Sequence, residues 1–351
     1  MPLAGELIRY DHAALTDWCA AAFEAAGIDA DAARVSAAVL VRTNLRGIDT
    51  HGVLRVPGYI DKIRSGEVNA RPTPTCEVQD GVVRYDGDGG IGQAVMTTAI
   101  QAAIDVARDR QVTTCLVRRS GHLAAIGMFA LPAAEAGLVA VLCQETPPLM
   151  APLGSKRPAI GNNPIAFACP VEGRAPLVFD MATSVVARGS VLDAAREGHD
   201  LPPGWAIDDS GQPAQDPAAA LAGSMLPVGG HKGVGLAMMV QVLAGSLTGS
   251  VAAESARKHA ATSSAGNVSA FLLLINPDAA AGRTAFDGHI RSWLDYYLDA
   301  SGPDGRYPGA RAAAVEAERT RTGIPLTPAG VSELVSLGAR LNVPFDLLSI
   351  T

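Results

Sequence analysis

The sequence predicts a mixed α/β fold in which helices from both ends of the chain pack together beside a central lobe. Apolar residues recur at helical spacing near both termini, and continuous apolar runs typical of buried strands fill the middle. The 351 residues exceed the size at which one core usually stops growing, about 250–300 residues, so two packed lobes are expected. We predict a helical part at 1–72, a mixed α/β lobe at 73–287, and C-terminal helices at 288–351 that return to the helical part.

Composition excludes several classes of protein. Hydrophobic residues make up 48% of the chain and charged residues 18%, which argues against global disorder. The net charge of −7 and the lack of a basic run longer than Arg118-Arg119 disfavour a nucleic-acid partner. The apolar stretch from Val234 to Ala253 is interrupted by Gln241 and glycines, so we expect a buried helix and no membrane span. Seven dispersed histidines predict no metal site.

Five scattered cysteines, an odd number without a CxxC motif, indicate free thiols in a reducing cytoplasm. Residues 1–10 show no signal-peptide pattern, which supports the same compartment.

The elements follow from periodicity and capping residues. The first part predicts helices at Ala13–Ala26, at Asp29–Arg46 and from Asp49-Thr50 to Gly66. The central lobe begins with a hairpin around Asp80-Gly81 and a helix at Gln93–Arg110. Further strands are predicted at Thr113–Val117, Leu138–Cys143, Ile165–Ala168, Leu177–Asp180 and Phe271–Ile275. Further helices are predicted at Ala124–Ala136, after Gly230–Gly233, and at Ala285–Leu298, Ala310–Thr322 and Thr327–Leu341, with a Pro-rich loop at Pro202–Pro217.

One candidate constellation comprises His51, Arg55 and Tyr59, which follow one another at four-residue spacing in the third predicted helix. On one helix, His51 and Arg55 share a face, and the first helical turn favours a neutral imidazole. The guanidinium of Arg55 can bind a carboxylate at two points. A histidine that donates a proton one helical turn from a carboxylate-binding arginine suits a 2-oxo acid, because the carbonyl of such an acid adjoins its carboxylate. The same spacing also fits a capping histidine beside a surface ion pair, and spacing alone favours that alternative.

Three other segments carry polar side chains where a strand ends or a helix begins. His122 follows the strand at Thr113–Val117. It is either a site residue or a loop histidine that bonds to the backbone. The strand end Phe179–Ser184 suits a phosphate or a ribose, although a plain cap for the next helix is the simpler interpretation. The glycine-rich helix start at Gly229–Gly235, with its lysine, is either an anion site or a point of close packing.

The segment Gly87–Gly92 matches the GxGxxG pattern of dinucleotide-binding loops, after a strand and before a helix. The surrounding sequence lacks the alternating βαβ series of a doubly wound sheet. We therefore predict a glycine-rich turn that permits close backbone packing, in a sheet that is not of the Rossmann type.

Taken together, the motifs resemble the type 2 malate/L-lactate dehydrogenase family, from about Leu15 to Leu341. The markers are RGIDTHGVLRVPGYI (46–60), YDGDGGIGQ (85–93), RSGH (119–122), PPLMAPLGSKRPAIGNNPIAFACP (147–170), FDMATSVVARG (179–189), PPGWAID (202–208), LPVGGHKGVGLAMMV (226–240) and YPGAR (307–311). The resemblance implies a non-Rossmann mixed sheet, an NAD or NADP cofactor and a homodimer or larger assembly. It implies hydride transfer at C2 of a small 2-hydroxy or 2-oxo acid. Cyclic 2-imino acid reduction, ureidoglycolate-type oxidation and a cofactor-binding paralogue with little activity remain alternatives.

The resemblance also implies site residues. His51 matches the proton donor of some members, and His122 matches the acid/base residue of others. Thr50, Arg55 and Tyr59 are expected at the substrate carboxylate. The expected cofactor contacts are Thr146, Asn163, Asp180, Met181, Ala182, Thr183, Ser184, His231, Lys232 and Gly309.

Several positions depart from the family pattern. A threonine, Thr50, replaces the usual serine, and Gln144-Glu145 replaces the usual Thr-Asn pair. Ala310 stands where the family's PGE turn has its carboxylate, and Ser190 replaces a frequent lysine. These changes leave the substrate and the choice between NAD and NADP open.

Overall fold

A computed structural model describes residues 7–250 and 268–350. The strands of this part are β1 (Ile8–Tyr10), β2 (Thr75–Gln79), β3 (Val82–Gly90), β4 (Val112–Ser120), β5 (Val139–Glu145), β6 (Ile165–Cys169), β7 (Leu177–Met181), β8 (Ala206–Ile207), β9 (Pro213–Ala214), β10 (Ser224–Met225), β11 (Val268–Ile275), β12 (Ile324–Leu326) and β13 (Ser349–Ile350). The helices are α1 (His12–Ala25), α2 (Ala30–Leu45), α3 (Val56–Arg64), α4 (Gly92–Ala107), α5 (Gly127–Glu135), α6 (Arg188–Glu197), α7 (Pro217–Ala222), α8 (His231–Val240), α9 (Pro277–Ala280), α10 (Arg283–Ser301), α11 (Ala310–Thr322) and α12 (Pro328–Leu341).

Seven strands form one mixed sheet in the order β2-β3-β4-β11-β5-β6-β7. Only the β3–β4 pair is parallel, and the other neighbours in this sheet are antiparallel. A doubly wound dinucleotide fold needs a mostly parallel sheet, so the predicted mixed α/β class without a Rossmann sheet is confirmed. Helices α4 and α5 pack on one face, with the side chains of Met96, Phe129 and Leu142 fully enclosed.

A second core joins the two ends of the chain. It combines buried side chains of α1, α2 and α3 with those of α12, including Leu15, Leu40, Ile60 and Leu334. Strand β1 pairs with β12 and β13, so the first described strand is held between two late ones. Helix α10 packs elsewhere, since its Leu294 lies in a small cluster with Val171 of the sheet lobe. The domain boundaries at residues 72 and 287 stay a prediction.

Most predicted elements are confirmed in place and type. Helix α11 has the predicted bounds, α12 begins after the predicted cap Thr327, and the hairpin turns at Asp80-Gly81. The glycine-rich segment before α4 is a packing device as predicted. A Cβ on Gly92 would collide with the carbonyl oxygens of Gly121 and His122.

The predicted helix from Asp49 to Gly66 is wrong in its first half. The chain forms two short 3-10 turns, Asp49–His51 and Val53–Arg55, before α3 begins. Gly52 separates the turns with extended ψ of −145°. His51 and Arg55 therefore do not share one helix.

The helix expected at Val234–Ala253 is confirmed as far as Ser246, but only one side of it is buried. Helix α8 passes into a π-helical turn at Gln241–Ser246. Large apolar side chains on this segment face outward, namely Leu236, Met238, Met239, Val242 and Leu247. Residues 251–253 lie outside the described residues. Within the described part, no helix has the length and apolar character needed to cross a membrane.

Candidate active site

A cavity of about 520 Å³ lies where the 3-10 turns of the helical part meet β5, β7 and α5. Eight of the residues expected at the site line it: Thr50, His51, His122, Thr146, Asp180, Met181, Ala182 and Gly309. These residues come from five separate segments of the chain. The fold therefore assembles in one place most of what the sequence motifs single out.

His51 ends the first 3-10 turn and is half-buried in the cavity wall. Its Nδ1 lies 2.8 Å from the hydroxyl oxygen of Thr50, a group that can donate or accept. Burial, together with a smaller effect of the positive charge of Arg55, lowers the pKa of His51 to about 4. The imidazole is therefore neutral at neutral pH.

Arg55 ends the second 3-10 turn and reaches back towards the first. Its Nε donates to the carbonyl oxygen of Thr50 at 2.7 Å. A Cβ built on Gly189 would lie 3.1 Å from Arg55 Nη2 and 4.0 Å from His51 Cε1. The start of α6 thus covers both side chains. Among the described residues Arg55 has no carboxylate partner within salt-bridge distance, so its outer nitrogens are available to a ligand.

His122 is oriented by two buried side chains. Gln93 donates from Nε2 to the hydroxyl oxygen of Tyr59 at 2.9 Å, and this oxygen lies 3.0 Å from His122 Nδ1, to which the hydroxyl donates because the N–H of Ala124 makes Nδ1 an acceptor. The backbone N–H of Ala124 also points to this nitrogen, at 3.3 Å. Two donors on Nδ1 assign the ring proton to Nε2. Burial lowers the pKa of His122 to about 3, helped by His51, so the ring is neutral.

Asp180 lies at the end of β7, in a recess of the cavity. The backbone N–H of Gly127, at the start of α5, donates to its Oδ2 at 2.7 Å. Desolvation nevertheless raises the pKa of the carboxyl to about 6, against the effect of this bond. Its charge therefore changes close to neutral pH.

Several other expected residues stand behind the cavity wall. Asn163 is fully buried, accepts from the backbone N–H of Thr146 and donates to the carbonyl of Ala237. Thr183 is buried and bonds to the carbonyl of Asn162, while the Ser184 hydroxyl bonds to Val186. These contacts fix the turns that line the cavity.

His231 and Lys232 stand apart from the cavity. Both are exposed at the start of α8, outside the lining residues. The adjoining turn still packs on the site, since Val228 N–H donates to the carbonyl of Thr183 at 2.9 Å. Tyr59 likewise does not line the cavity and touches it through His122.

Further lining residues are missing from the expected set. Gln144 and Asn162 come from the strand β5 and the turn before β6, and Arg46 and Arg311 bring positive charge. In the sequence, Gln144 departs from a family motif and Asn162 lies within one. Only the fold shows that both residues line the cavity.

A family model described as malate/L-lactate dehydrogenase matches residues 10–335. The chain belongs to the malate/L-lactate dehydrogenase family. It is 37% identical over 315 residues to (2R)-3-sulfolactate dehydrogenase (NADP(+)) of Chromohalobacter salexigens, which covers 90% of this chain and 93% of that protein. It is 40% identical over 250 residues to the Delta(1)-pyrroline-2-carboxylate/Delta(1)-piperideine-2-carboxylate reductase of Pseudomonas putida, covering 71% and 73% of the two chains.

The fold of this family is also seen in solved structures. The delta1-piperideine-2-carboxylate reductase of Pseudomonas syringae pv. tomato matches with a TM-score of 0.86 and 34% identity, over 94% of this chain and 99% of that chain. The predicted oxidoreductase class and the nicotinamide dinucleotide cofactor of this malate/L-lactate dehydrogenase family member are thereby confirmed.

The cavity of this family member fits such a cofactor. Its volume is within the range of about 300–1,000 Å³ that is usual for small-molecule sites. Arg311, at the start of α11, has no ion-pair partner within residues 7–250 and 268–350, so it can meet a phosphate. Arg46 lines the same cavity but is paired with Glu316. A free cation beside a polar recess suits a dinucleotide, which carries an anionic pyrophosphate in its middle and a carboxamide at its nicotinamide end.

Proposed function

We propose that this chain transfers hydride between NAD(P) and C2 of a small 2-hydroxy or 2-oxo acid of the malate or lactate type. The observation that carries the proposal is that His51 and His122 line one cavity, while Arg55 lies behind its lining next to His51, against the start of α6. A carboxylate clamp and two imidazoles are what such a substrate needs, because its carboxylate adjoins the reacting carbon.

Arg55 binds the substrate carboxylate in this scheme. Its Nε is held by the Thr50 carbonyl, which leaves the terminal nitrogens for a two-point contact. Fixing the carboxylate positions C2 between the cofactor and the histidines, and such orientation lowers the barrier.

His51 exchanges the proton with the C2 heteroatom. Its Nδ1 neighbour is the Thr50 hydroxyl, which adapts to either tautomer. His122 differs, because its Nε2 already carries the ring proton and its Nδ1 receives two donors, so taking up a proton at Nδ1 would cost both bonds. His122 therefore donates a fixed Nε2–H to the substrate oxygen or nitrogen and polarises it.

The dinucleotide lies along the remaining wall of the cavity. Thr146, Met181, Ala182, Gly309 and Arg311 are the chain's contacts to it in this proposal. When bound, the nicotinamide supplies or accepts the hydride.

Reduction of a cyclic 2-imino acid is the second candidate. One relative, over 71% of this chain, is a pyrroline-2-carboxylate/piperideine-2-carboxylate reductase, and the matching solved structure, over 94% of this chain, is a piperideine-2-carboxylate reductase. The ring imine carries the same carboxylate next to C2, so Arg55 would act in the same way. A ureidoglycolate-type oxidation keeps this geometry as well.

The proposal is tested by steady-state assays with NADH and NADPH against a panel of 2-oxo acids and cyclic 2-imino acids. We expect turnover with one of these classes. His51→Ala should lower kcat by roughly 10²–10⁴-fold, the usual size of a general acid–base contribution. Arg55→Lys keeps the charge but loses the fork, so it should mainly raise KM.

His199→Ala is the matched control, because His199 is exposed and remote from the cavity lining. Binding of a dinucleotide without turnover of any substrate would favour the low-activity paralogue instead. Loss of activity in His122→Ala with His51→Ala unaffected would reverse the two roles.

We propose in addition that the enzyme is a homodimer or larger homo-oligomer in the cytoplasm. The outward apolar residues of α8 and its π-helical turn, Met238, Val242 and Leu247, support the assembly. The five free cysteines support a reducing compartment. Light scattering of the wild type and of Val242→Asp tests the assembly, since the charged variant should give a smaller particle.

A further inference from the structure

Gln144 has a buried polar atom without a protein partner. Its side chain is 1% exposed, and within the described residues Nε2 has no hydrogen-bond acceptor. Leaving a buried donor unpaired is costly, so such atoms in native proteins call for an explanation. Of the unpartnered buried side-chain atoms in the described part, only this one belongs to a residue lining the active-site cavity.

The sheet register shows which way Gln144 faces. Leu142 pairs with Ala166, and Ala166 pairs with Asp180, so these three side chains share one face of the sheet. Gln144 lies two residues beyond Leu142 on the same strand and therefore shares this face. That face carries α5, whose first backbone N–H binds Asp180. The side chains of Gln144 and Asp180 thus reach the cavity from the same face of the sheet.

We propose that Gln144 is a ligand-binding residue whose Nε2 donates a hydrogen bond to a carbonyl-type oxygen of the bound molecules. The inference rests on the proposed function, because that function places two such oxygens in the cavity. One is the carboxamide oxygen of the nicotinamide, and the other belongs to the substrate. A neutral amide donor suits either oxygen and adds no charge beside Asp180.

The test compares Gln144→Met with Thr113→Val. Methionine keeps the length of the side chain and removes the donor. Thr113 is also buried with an unpartnered side-chain oxygen in the described part, but it lies on β4 outside the cavity lining. If Gln144 serves the ligand, neither ligand-free variant should have a lower Tm than the wild type, because neither loses a protein hydrogen bond.

Ligand affinity separates the two variants. We expect Gln144→Met to raise a dissociation constant or a KM between about twofold and tenfold, the size of one hydrogen bond, and Thr113→Val to change neither. A higher Kd for the dinucleotide, titrated without substrate, identifies the carboxamide. A higher substrate KM at saturating cofactor identifies the substrate oxygen. Unchanged constants in Gln144→Met overturn the proposal, as does a fall in its ligand-free Tm with unchanged affinity.

A second variant, Gln144→Leu, repeats the comparison if the methionine variant does not fold. If the wild type turns over no 2-oxo or 2-imino acid, the proposed function fails by itself. The dinucleotide titration then still decides about Gln144, since an unchanged Kd in the variant overturns its role.

Discussion

At the scale of single residues, the site is built from two histidines that the protein keeps uncharged. Burial is the main cause for both, and Arg55 adds to it for both. Neutral imidazoles are bases, so the free enzyme is prepared to take a proton from a 2-hydroxy acid. Binding of a carboxylate next to Arg55 offsets the positive charge beside His51, which raises the pKa of the imidazole and eases its uptake of the proton.

This electrostatic arrangement predicts the pH dependence of the oxidation reaction. A base works only when unprotonated, and the pKa of His51 is lowered from 6.5 to about 4. The value of kcat/KM should therefore stay level as the pH falls from 8 to about 5, and it should decline only below that. Initial rates across this range measure it.

Arg55→Gln should move the decline to higher pH, because one of the causes of the lowered pKa is removed. Because Asp180 has a pKa of about 6 in the same cavity, a half-maximum near 6.5 would contradict the lowered pKa of His51 if it persists in Asp180→Asn.

At the scale of elements, the two 3-10 turns before α3, and not a helix, position His51 and Arg55. Asn44, from α2, accepts from the backbone N–H of Val53 and donates to Asp49, both at 2.7 Å. Its side chain occupies the space next to Gly52, where a Cβ would collide with it. A single amide thus holds both 3-10 turns, and with them His51 and Arg55.

Gly52→Ala should lower both activity and stability, since the new methyl group displaces Asn44. We expect a loss of about 1–3 kcal/mol in the free energy of unfolding, typical of an overpacked site, together with a lower kcat/KM. Gly58→Ala is the matched control on α3. No atom lies within 4 Å of its added Cβ, so stability should be unchanged or rise by up to about 1 kcal/mol. Equal stability of the two variants would refute the role of Asn44.

The difference between local and tertiary causes explains how much could be predicted. Periodicity and caps located the helices at both ends, the hairpin and the central strands. The break at Gly52 depends on the side chain of Asn44, which belongs to the preceding helix α2. The periodicity of the sequence does not show this contact. The outward face of α8 and the orientation of Gln144 depend on neighbouring elements and on strand register. The motifs identified His51 and Arg55, although the helix proposed to join them does not exist.

At the scale of the molecule, one core depends on both ends of the chain. Leu334, on α12, is fully buried among the side chains of α1 and α3. The indole N–H of Trp18 donates to the carbonyl of Val343 at 3.1 Å. The turns that carry His51 and Arg55 pack on this core, so a loss of packing in the core is expected to disturb the candidate site.

Leu334→Ala should lower the free energy of unfolding by about 2–5 kcal/mol, the usual cost of truncating a fully enclosed leucine. Val335→Ala, next to it on the same helix, is the control, because Val335 is 46% exposed and should change stability by at most about 0.5 kcal/mol. Chemical denaturation measures both. Similar values for the two variants would show that the C-terminal helix contributes little to the core.

The pairing of β1 with β12 also has a consequence for synthesis on the ribosome. The sheet has its last strand once residue 275 has emerged, whereas Ile8 waits for Leu326. During translation, therefore, α1 and α2 remain without their partners while the sheet can already close. The turns that carry His51 and Arg55 gain the packing of α12 only after that helix has left the exit tunnel. The core beneath the candidate catalytic turns is therefore completed last, and a ribosome stalled before α12 carries a chain in which this core is open.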